Sequence, residues 1–211
     1  MPQPSSSGSS INFHRYQRIA TIYDLLDLPF EYSRYRALRR QLFDGLQGHI
    51  LDAGVGTGRN FPFYPRNAAV IGIDISPAML RRANRRRSQS PAASIELRQM
   101  DVAHITLPDR AFDAAVTSFL FCVLPGELQI PALQELHRVV RPGGVIRLME
   151  YLRPQGRIRR LITRLWDPWI AWAYGASFDR QTEMHIRNAG LKVSMDRFVV
   201  TDLIKLIEIE C

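Results

Sequence analysis

Cysteine is nearly absent from this 211-residue chain: Cys122 and Cys211 are the only two. They stand far apart with no metal-ligand spacing, so neither a disulfide framework nor a zinc site is expected, and no metal is assigned. Cys122 reads as a small core residue. Long apolar runs are missing as well. Hydrophobic residues make up an ordinary 46% of the chain, but no stretch approaches the about 20 residues that cross a bilayer. Residues 1–10 are rich in Pro, Ser and Gly and have neither a cationic start nor an apolar stretch. They read as a disordered tail and not as a secretory signal, and cytoplasmic residence is the expectation. Internal repeats are lacking too. Acid is the last shortage: 20 Asp and Glu face 28 Lys and Arg, for a net charge of +8. That imbalance favours polyanions, either nucleic acid or an anionic membrane surface.

Glycine, by contrast, is concentrated where it matters. Leu51-Asp52-Ala53-Gly54-Val55-Gly56-Thr57-Gly58-Arg59-Asn60 follows a short apolar run that reads as a buried strand. Alternate glycines let the backbone turn sharply and approach a ligand closely. The spacing is not the G-x-G-x-x-G that seats a pyrophosphate on a helix N-terminus. Asp52 stands directly after the apolar positions, where a carboxylate repels a pyrophosphate and favours an amine or a sulfonium. A cationic, amino-acid-like cofactor fits that loop better.

Further strands follow in order. Ala69-Val70-Ile71-Gly72-Ile73-Asp74 ends in an acid that, at the tip of a second strand, can accept hydrogen bonds from two ribose hydroxyls. Met100-Asp101-Val102 closes a third, where Asp101 can meet an adenine amino group. Strands are expected at 49–53, 69–74, 94–100, 112–118, 144–151, 191–197 and 202–210, with helices at 77–86 and 127–140. Another helix is expected at 180–188, capped by Asp179 and ended by Gly190. Arg141-Pro142-Gly143-Gly144 reads as the turn into the fifth strand.

Taken together, these residues resemble the class I S-adenosylmethionine-dependent methyltransferases. The resemblance implies an α/β fold, a Rossmann-like αβα sandwich on a seven-stranded mixed sheet. It has an N-terminal helical cap and a helical insertion after strand 5. Residues 1–10 would be tail, 11–46 an amphipathic helical cap and 47–211 the S-adenosylmethionine-binding domain. It also implies roles. Gly54, Gly56 and Gly58 would cradle the methionine moiety, with Asp52 near its amino end and Asn60 in the same site. Asp74 would hold the ribose, Ile75 and Val102 would sandwich the adenine, Asp101 would accept from its amine, and Met79 would pack nearby. Ser118 and Phe119 would lie close to the sulfonium. Tyr23-Asp24 resembles a Tyr-Asp pair of quinone-pathway and lipid methyltransferases, in which the tyrosine closes over the cofactor.

A narrower resemblance rests on Gly54-Val55-Gly56-Thr57-Gly58-Arg59-Asn60, Tyr64-Pro65, Asp74-Ile75-Ser76-Pro77-Ala78-Met79-Leu80, Phe121-Cys122-Val123-Leu124-Pro125, Arg138-Val139-Val140-Arg141-Pro142-Gly143-Gly144 and Asp167-Pro168. These look like the bacterial phosphatidylethanolamine N-methyltransferases and their membrane-associated thiol-methylating relatives. Many of those carry Glu-His at the end of strand 5, whereas this chain has Glu150-Tyr151. An amine acceptor must lose a proton before it attacks, and Tyr16, Tyr23, Tyr151 and His185 are the candidates to receive it. Arg180 is the preferred donor to a phosphate headgroup, with Tyr151 also on the acceptor side.

Two segments bear on partners. Residues 153–174 mix arginines with Trp166, Trp169 and Trp172, the chain's three tryptophans, a combination suited to a bilayer headgroup region. Phe13, Tyr16, Ile19, Ala20, Tyr23, Leu26 and Leu28 recur at helical spacing, and residues 31–46 continue as a basic helix with Arg34, Arg36, Arg39 and Arg40. Both segments fit a peripheral protein on an anionic membrane surface, and they fit equally a lid on a small-molecule site. Three classes therefore stand: a phospholipid N-methyltransferase acting as a monomer at the membrane, a methyltransferase for a thiol or quinone intermediate, and a nucleic-acid partner. The last lacks an aromatic platform or an appended binding domain, so no nucleic acid is expected.

Overall fold

The computed structural model describes residues 35–151, 181–200 and 203–211. The expected segments become strands: β1 (His49–Ala53), β2 (Ala69–Asp74), the alternating β3 (Ser94–Gln99) and β4 (Phe112–Ser118). They are followed by β5 (Val140–Tyr151), β6 (Val193–Val200) and β7 (Ile204–Glu210). The seven form one sheet in the order β3-β2-β1-β4-β5-β7-β6. The first five pair in parallel, while β7 runs antiparallel to both β5 and β6. The mixed seven-stranded α/β sheet is thus the one expected from sequence.

Helices α1 (Arg36–Phe43), α2 (Pro77–Arg85), α3 (Gly126–Val139) and α4 (Thr182–Asn188) cover it. Alternation along the strands sorts their side chains between two cores. On one face Ile50, Val70, Val116 and Met149 meet Leu38, Leu42 and Phe43 of α1, Ala83 of α2, and Phe61 and Tyr64 around the short 3₁₀ turn Phe61–Phe63. On the other, Leu51, Ala115, Ile146, Leu148 and Ile207 meet Leu133 and Leu136 of α3 and Ile186 of α4.

Helix α2 shows how sequence sets a boundary next to the site. Ser76 Oγ accepts the Met79 N–H at 3.4 Å, and Pro77 takes the first helical position, where its missing N–H costs nothing. Ser76→Ala is expected to cost ~1 kcal/mol in urea unfolding, the usual worth of an N-cap. An unmoved midpoint would mean this long bond contributes nothing.

Several boundaries move. The Pro-Gly-Gly turn lies inside β5, which starts at Val140 opposite Phe112; the register then slips so that Ala114 faces Val145. A Cβ on Gly144 would stand 2.7 Å from the Asp113 carbonyl oxygen, so only glycine lets the strand pass there. β6 begins at Val193 because Gly190 and Leu191 close the helix before it, donating to the Arg187 and Ile186 carbonyls. β7 waits for a turn in which Leu203 N–H reaches Val200 O. β3 ends at Gln99, one residue early. Helix α4 starts at Thr182 with Gln181 at the N-cap and no side-chain cap bond, two residues beyond the expected start. Asp179 and Arg180 lie outside the described residues, as do the tail, the 11–34 part of the cap and the 153–174 segment.

Cys122 is buried, its thiol donating to Phe119 O at 3.2 Å. Cys211 is half-buried, its backbone zipped to Gly143 and Gly144, and burial pushes its thiol up to about 11.

Candidate functional site

The strand order reverses between β1 and β4, and the carboxyl ends of such strands open a crevice where α/β sheets bind ligands. The glycine loop enters it. Gly54 and Val55 both donate to Ile73 O at 2.9 Å, which folds the loop back over β2. Gly54 has φ 76° and its absent Cβ would lie 2.9 Å from Leu120 Cδ1, so conformation and room both require glycine. The pocket at this point is lined by Gly54, Gly56, Ile73, Asp74, Ile75, Met79, Met100, Asp101, Val102, Ser118, Phe119, Leu120, Val123 and Leu124.

Asp74 dominates one side. Its Oδ2 accepts the Gly56 N–H at 2.9 Å and its Oδ1 the Ser76 N–H at 2.8 Å. Each oxygen keeps a further lone pair for a hydroxyl. Burial pushes this carboxyl up to about 6, against the opposing pull of the two N–H groups. Asp101 Oδ1 accepts the Ala103 N–H at 2.9 Å, which fixes the carboxylate beside Val102.

Behind the loop lies a buried polar cluster. Asp52, fully buried, takes the Tyr64 hydroxyl at 2.5 Å and the Asn60 amide at 2.9 Å on Oδ2. Asn60 Oδ1 accepts from Arg39 Nη1 at 2.6 Å, and the same guanidinium reaches Ser118 Oγ at 3.2 Å. Ser118 carries this cluster to the pocket wall. Burial raises the Asp52 carboxyl, while Tyr64, Asn60 and the Arg39 charge hold it down. The Tyr64 phenol is pushed well up by burial and by Asp52, so it stays a donor. Asp52 Oδ1 is buried with no hydrogen-bond partner, an acceptor that a ligand ammonium would satisfy.

The wall after β4 is built differently. Phe119 sits at φ 58°, a conformation that costs a non-glycine residue energy and needs support. Tyr151 stacks on its ring at 4.7 Å, Tyr35 packs at 5.5 Å, and the Arg39 guanidinium stands over it at 5.8 Å. The two tyrosine hydroxyls share a hydrogen bond. Below them Glu150, wholly buried, accepts the N–H groups of Leu120, Phe121 and Cys122 at 2.9, 3.0 and 3.0 Å.

The structure thus brings Gly54, Gly56, Asp74, Ile75, Met79, Asp101, Val102 and Ser118 to one pocket. Asp52 and Asn60 stand behind it, Gly58 packs against the Phe61 ring, and Tyr151 flanks the Phe119 wall. His185 is on α4, packed toward α3, and does not line the pocket. Tyr16, Tyr23 and Arg180 lie outside the described residues. Sequence reasoning missed Arg39, Tyr64 and Glu150. Arg39 was read as part of a basic helix face, yet it is 5% exposed, and its place on the stripe Tyr35, Leu38, Arg39, Leu42, Phe43 was the available signal.

The donor set suits S-adenosylmethionine. Asp74 and Asp101 on the pocket wall would accept from its ribose diol and adenine amine, Ile75, Met79 and Val102 would give apolar surface to the base, and the unpartnered Asp52 Oδ1 behind the loop would accept from its ammonium.

Comparison with known proteins gives the same answer. The methyltransferase domain family matches residues 50–144. A phosphatidylethanolamine N-methyltransferase of Cereibacter sphaeroides is 32% identical over 140 residues, covering 64% of this chain and 68% of that protein. A demethylmenaquinone methyltransferase of Chlamydia trachomatis is 35% identical over 147 residues, covering 66% of this chain and 61% of that protein. A thiol S-methyltransferase of Rattus norvegicus is 27% identical over 172 residues, covering 75% and 69%. Among solved structures, an S-adenosylmethionine-dependent methyltransferase of Thermotoga maritima, described as a possible histamine N-methyltransferase, superimposes with a TM-score of 0.72 at 19% identity. The match covers 94% of this chain and all of that one. The fold, the cofactor pocket and these relatives converge: the chain belongs to the S-adenosylmethionine-dependent methyltransferases.

Proposed function

We propose that this enzyme methylates the amine of phosphatidylethanolamine and of its methylated derivatives at an anionic membrane surface, toward phosphatidylcholine. The observation that carries the reading is the aromatic wall beside the cofactor pocket, Phe119 with Tyr151 and Tyr35. Aromatic rings attract ammonium groups and tolerate successive methylation of the headgroup. The Cereibacter relative is named for this substrate, and the net charge of +8 favours an anionic lipid surface. The enzyme binds there peripherally, at the cytoplasmic face, as a monomer. No helix among the described residues is long and apolar enough to cross a membrane.

When bound, S-adenosylmethionine supplies a methyl group on a positively charged sulfur. The chain aligns the acceptor and excludes water. Gly54 and Gly56 bring the backbone close, Asp74 and Asp52 fix the two ends, and Phe119 and Leu120 close the wall. A protonated ethanolamine must shed its proton, and the paired Tyr35 and Tyr151 hydroxyls, each both donor and acceptor, can pass it outward.

A thiol or quinone acceptor is the second reading, favoured by the names of the Rattus and Chlamydia relatives. Incubation with labelled S-adenosylmethionine and vesicles of phosphatidylethanolamine and phosphatidylglycerol, followed by mass analysis of the lipids, separates the two. Methylated ethanolamine lipids are expected. Unmodified lipid, with cofactor binding intact, would move the assignment to the second reading.

A further inference from the structure

Glu150 has no part in the chemistry above, yet it is a fully buried carboxylate at the end of β5, on the sheet face shared with α3 and α4. Three consecutive backbone N–H groups converge on it: Leu120 and Phe121 on Oε1, Cys122 on Oε2. These residues follow the strained Phe119, whose own N–H is held by Met149 O at 2.8 Å. Leu120, Val123 and Leu124 line the cofactor pocket, and Leu120 packs on Gly54 of the glycine loop. The wall therefore hangs on adjacent residues of β5: Met149 and Glu150 hold its backbone and Tyr151 stacks on its ring.

We propose that Glu150 is the positioning residue of this wall. Its ionised carboxylate sets where Phe119 and Leu120 stand against the glycine loop, and neutralising it releases the wall and weakens the cofactor site. The reason is donor and acceptor count. An ionised carboxylate only accepts, so three donors suit it; a protonated one brings an O–H of its own among N–H groups. Burial already pushes this carboxyl up to about 7, so the change falls near neutrality. Among the described residues no cation on this face pairs with the charge. Lys205, opposite Glu150 on β7, gives its ammonium to Glu183 at 2.6 Å and to Asp196. Gln129 of α3 is neutral and holds Phe121 O and Leu124 O, while the Cys122 thiol, which also contacts Phe119 O, hydrogen-bonds the carboxylate and pulls its pKa down alongside the three N–H groups. Glu127 on α3 is exposed, and His185 of α4 has no hydrogen-bond partner at Nδ1.

The inference rests on the cofactor site and not on which acceptor is used. It also has an unusual sign. Because the folded carboxyl lies above its ordinary value, the native state binds the proton more tightly than the unfolded chain. Global stability therefore rises as pH falls through about 7, while cofactor affinity falls over the same range. A merely structural carboxylate would give the stability trend alone and leave cofactor affinity unmoved near pH 7.

The test uses the full chain without ligand, followed by nuclear magnetic resonance. The amide protons of Leu120, Phe121 and Cys122 are expected to shift together with a midpoint near pH 7. Those of Gly56 and Ser76, which report Asp74, are expected to follow a separate midpoint near pH 6. Glu150→Gln is expected to abolish the first titration, spare the second and weaken S-adenosylmethionine binding about tenfold above pH 7, the size of one charge-assisted bond. Wild-type amides that do not titrate between about pH 5.5 and 8.5 would overturn the proposal, as would a Gln variant with wild-type affinity. If the variant fails to fold, the wild-type titration of the Leu120, Phe121 and Cys122 amides near pH 7, separate from that of Gly56 and Ser76 near pH 6, decides alone.

Discussion

Replacing Asp74 by Ala is expected to weaken S-adenosylmethionine binding by ~1.5–3 kcal/mol, roughly 10- to 150-fold in dissociation constant. Two effects contribute. The ribose hydroxyls lose a charged acceptor, and the Gly56 and Ser76 N–H groups lose the carboxylate that orders the loop around them. Asp74→Asn separates the two, since the amide keeps one acceptor oxygen and removes the charge. Calorimetry should also show a pH effect. The ionised form accepts the hydroxyls, and the carboxyl titrates at about 6, so wild-type affinity is present above pH 6 and is lost as pH falls through it. The Ala variant should lack that step. Wild-type affinity in Asp74→Ala would remove this residue from the cofactor site.

Arg39→Ala is expected to cost ~2–4 kcal/mol of folding stability, read as a shift in the urea midpoint. The guanidinium is 5% exposed, bonds Asn60 and Ser118 and stands over Phe119, so its loss leaves buried Asn60 Oδ1 with only the long 3.5 Å bond from Ser118 Oγ. It also removes the nearby positive charge that holds the Asp52 carboxyl down. In the variant, Asp52 should stay neutral to higher pH, and a neutral carboxyl attracts an ammonium poorly. Cofactor affinity should therefore fall and recover in part as the pH is raised. Arg39→Lys is expected to restore the charge but not the planar guanidinium that stands over the Phe119 ring. Affinity that is equally weak at every pH would mean Arg39 acts only through packing.

Both predictions concern residues of unequal legibility. Asp74 was readable because it ends a continuous apolar strand one βα unit after the glycine loop, a position whose chemistry follows from topology. The pocket residues Ile75, Met79, Asp101 and Val102 were readable for the same reason, since each lies within a few residues of a strand end. Arg39 and Glu150 were harder, because their partners come from chain segments far away in sequence: 79 positions separate Arg39 from Ser118, and 30 separate Glu150 from Leu120. The hint was their misfit. Arg39 falls on an apolar helix stripe, and Glu150 follows Ile146 and Leu148 at alternate positions of a buried strand face. A charge in such a place must be paired, but the pattern alone does not name the partner. Boundaries around β5 were missed because Pro-Gly-Gly normally marks a turn, whereas here a slip in register absorbs it within the strand.

The two thiols have a practical consequence for labelling chemistry. Nucleophilic attack needs a thiolate. Cys122 is enclosed, and Cys211, pushed up to about 11, holds almost no thiolate at neutral pH. A maleimide fluorophore or spin label offered near pH 7 should therefore react slowly with the native chain. One introduced surface cysteine would then carry the probe without prior removal of the native pair. Fluorescence or paramagnetic distances to vesicles thus become accessible through a single substitution at a time.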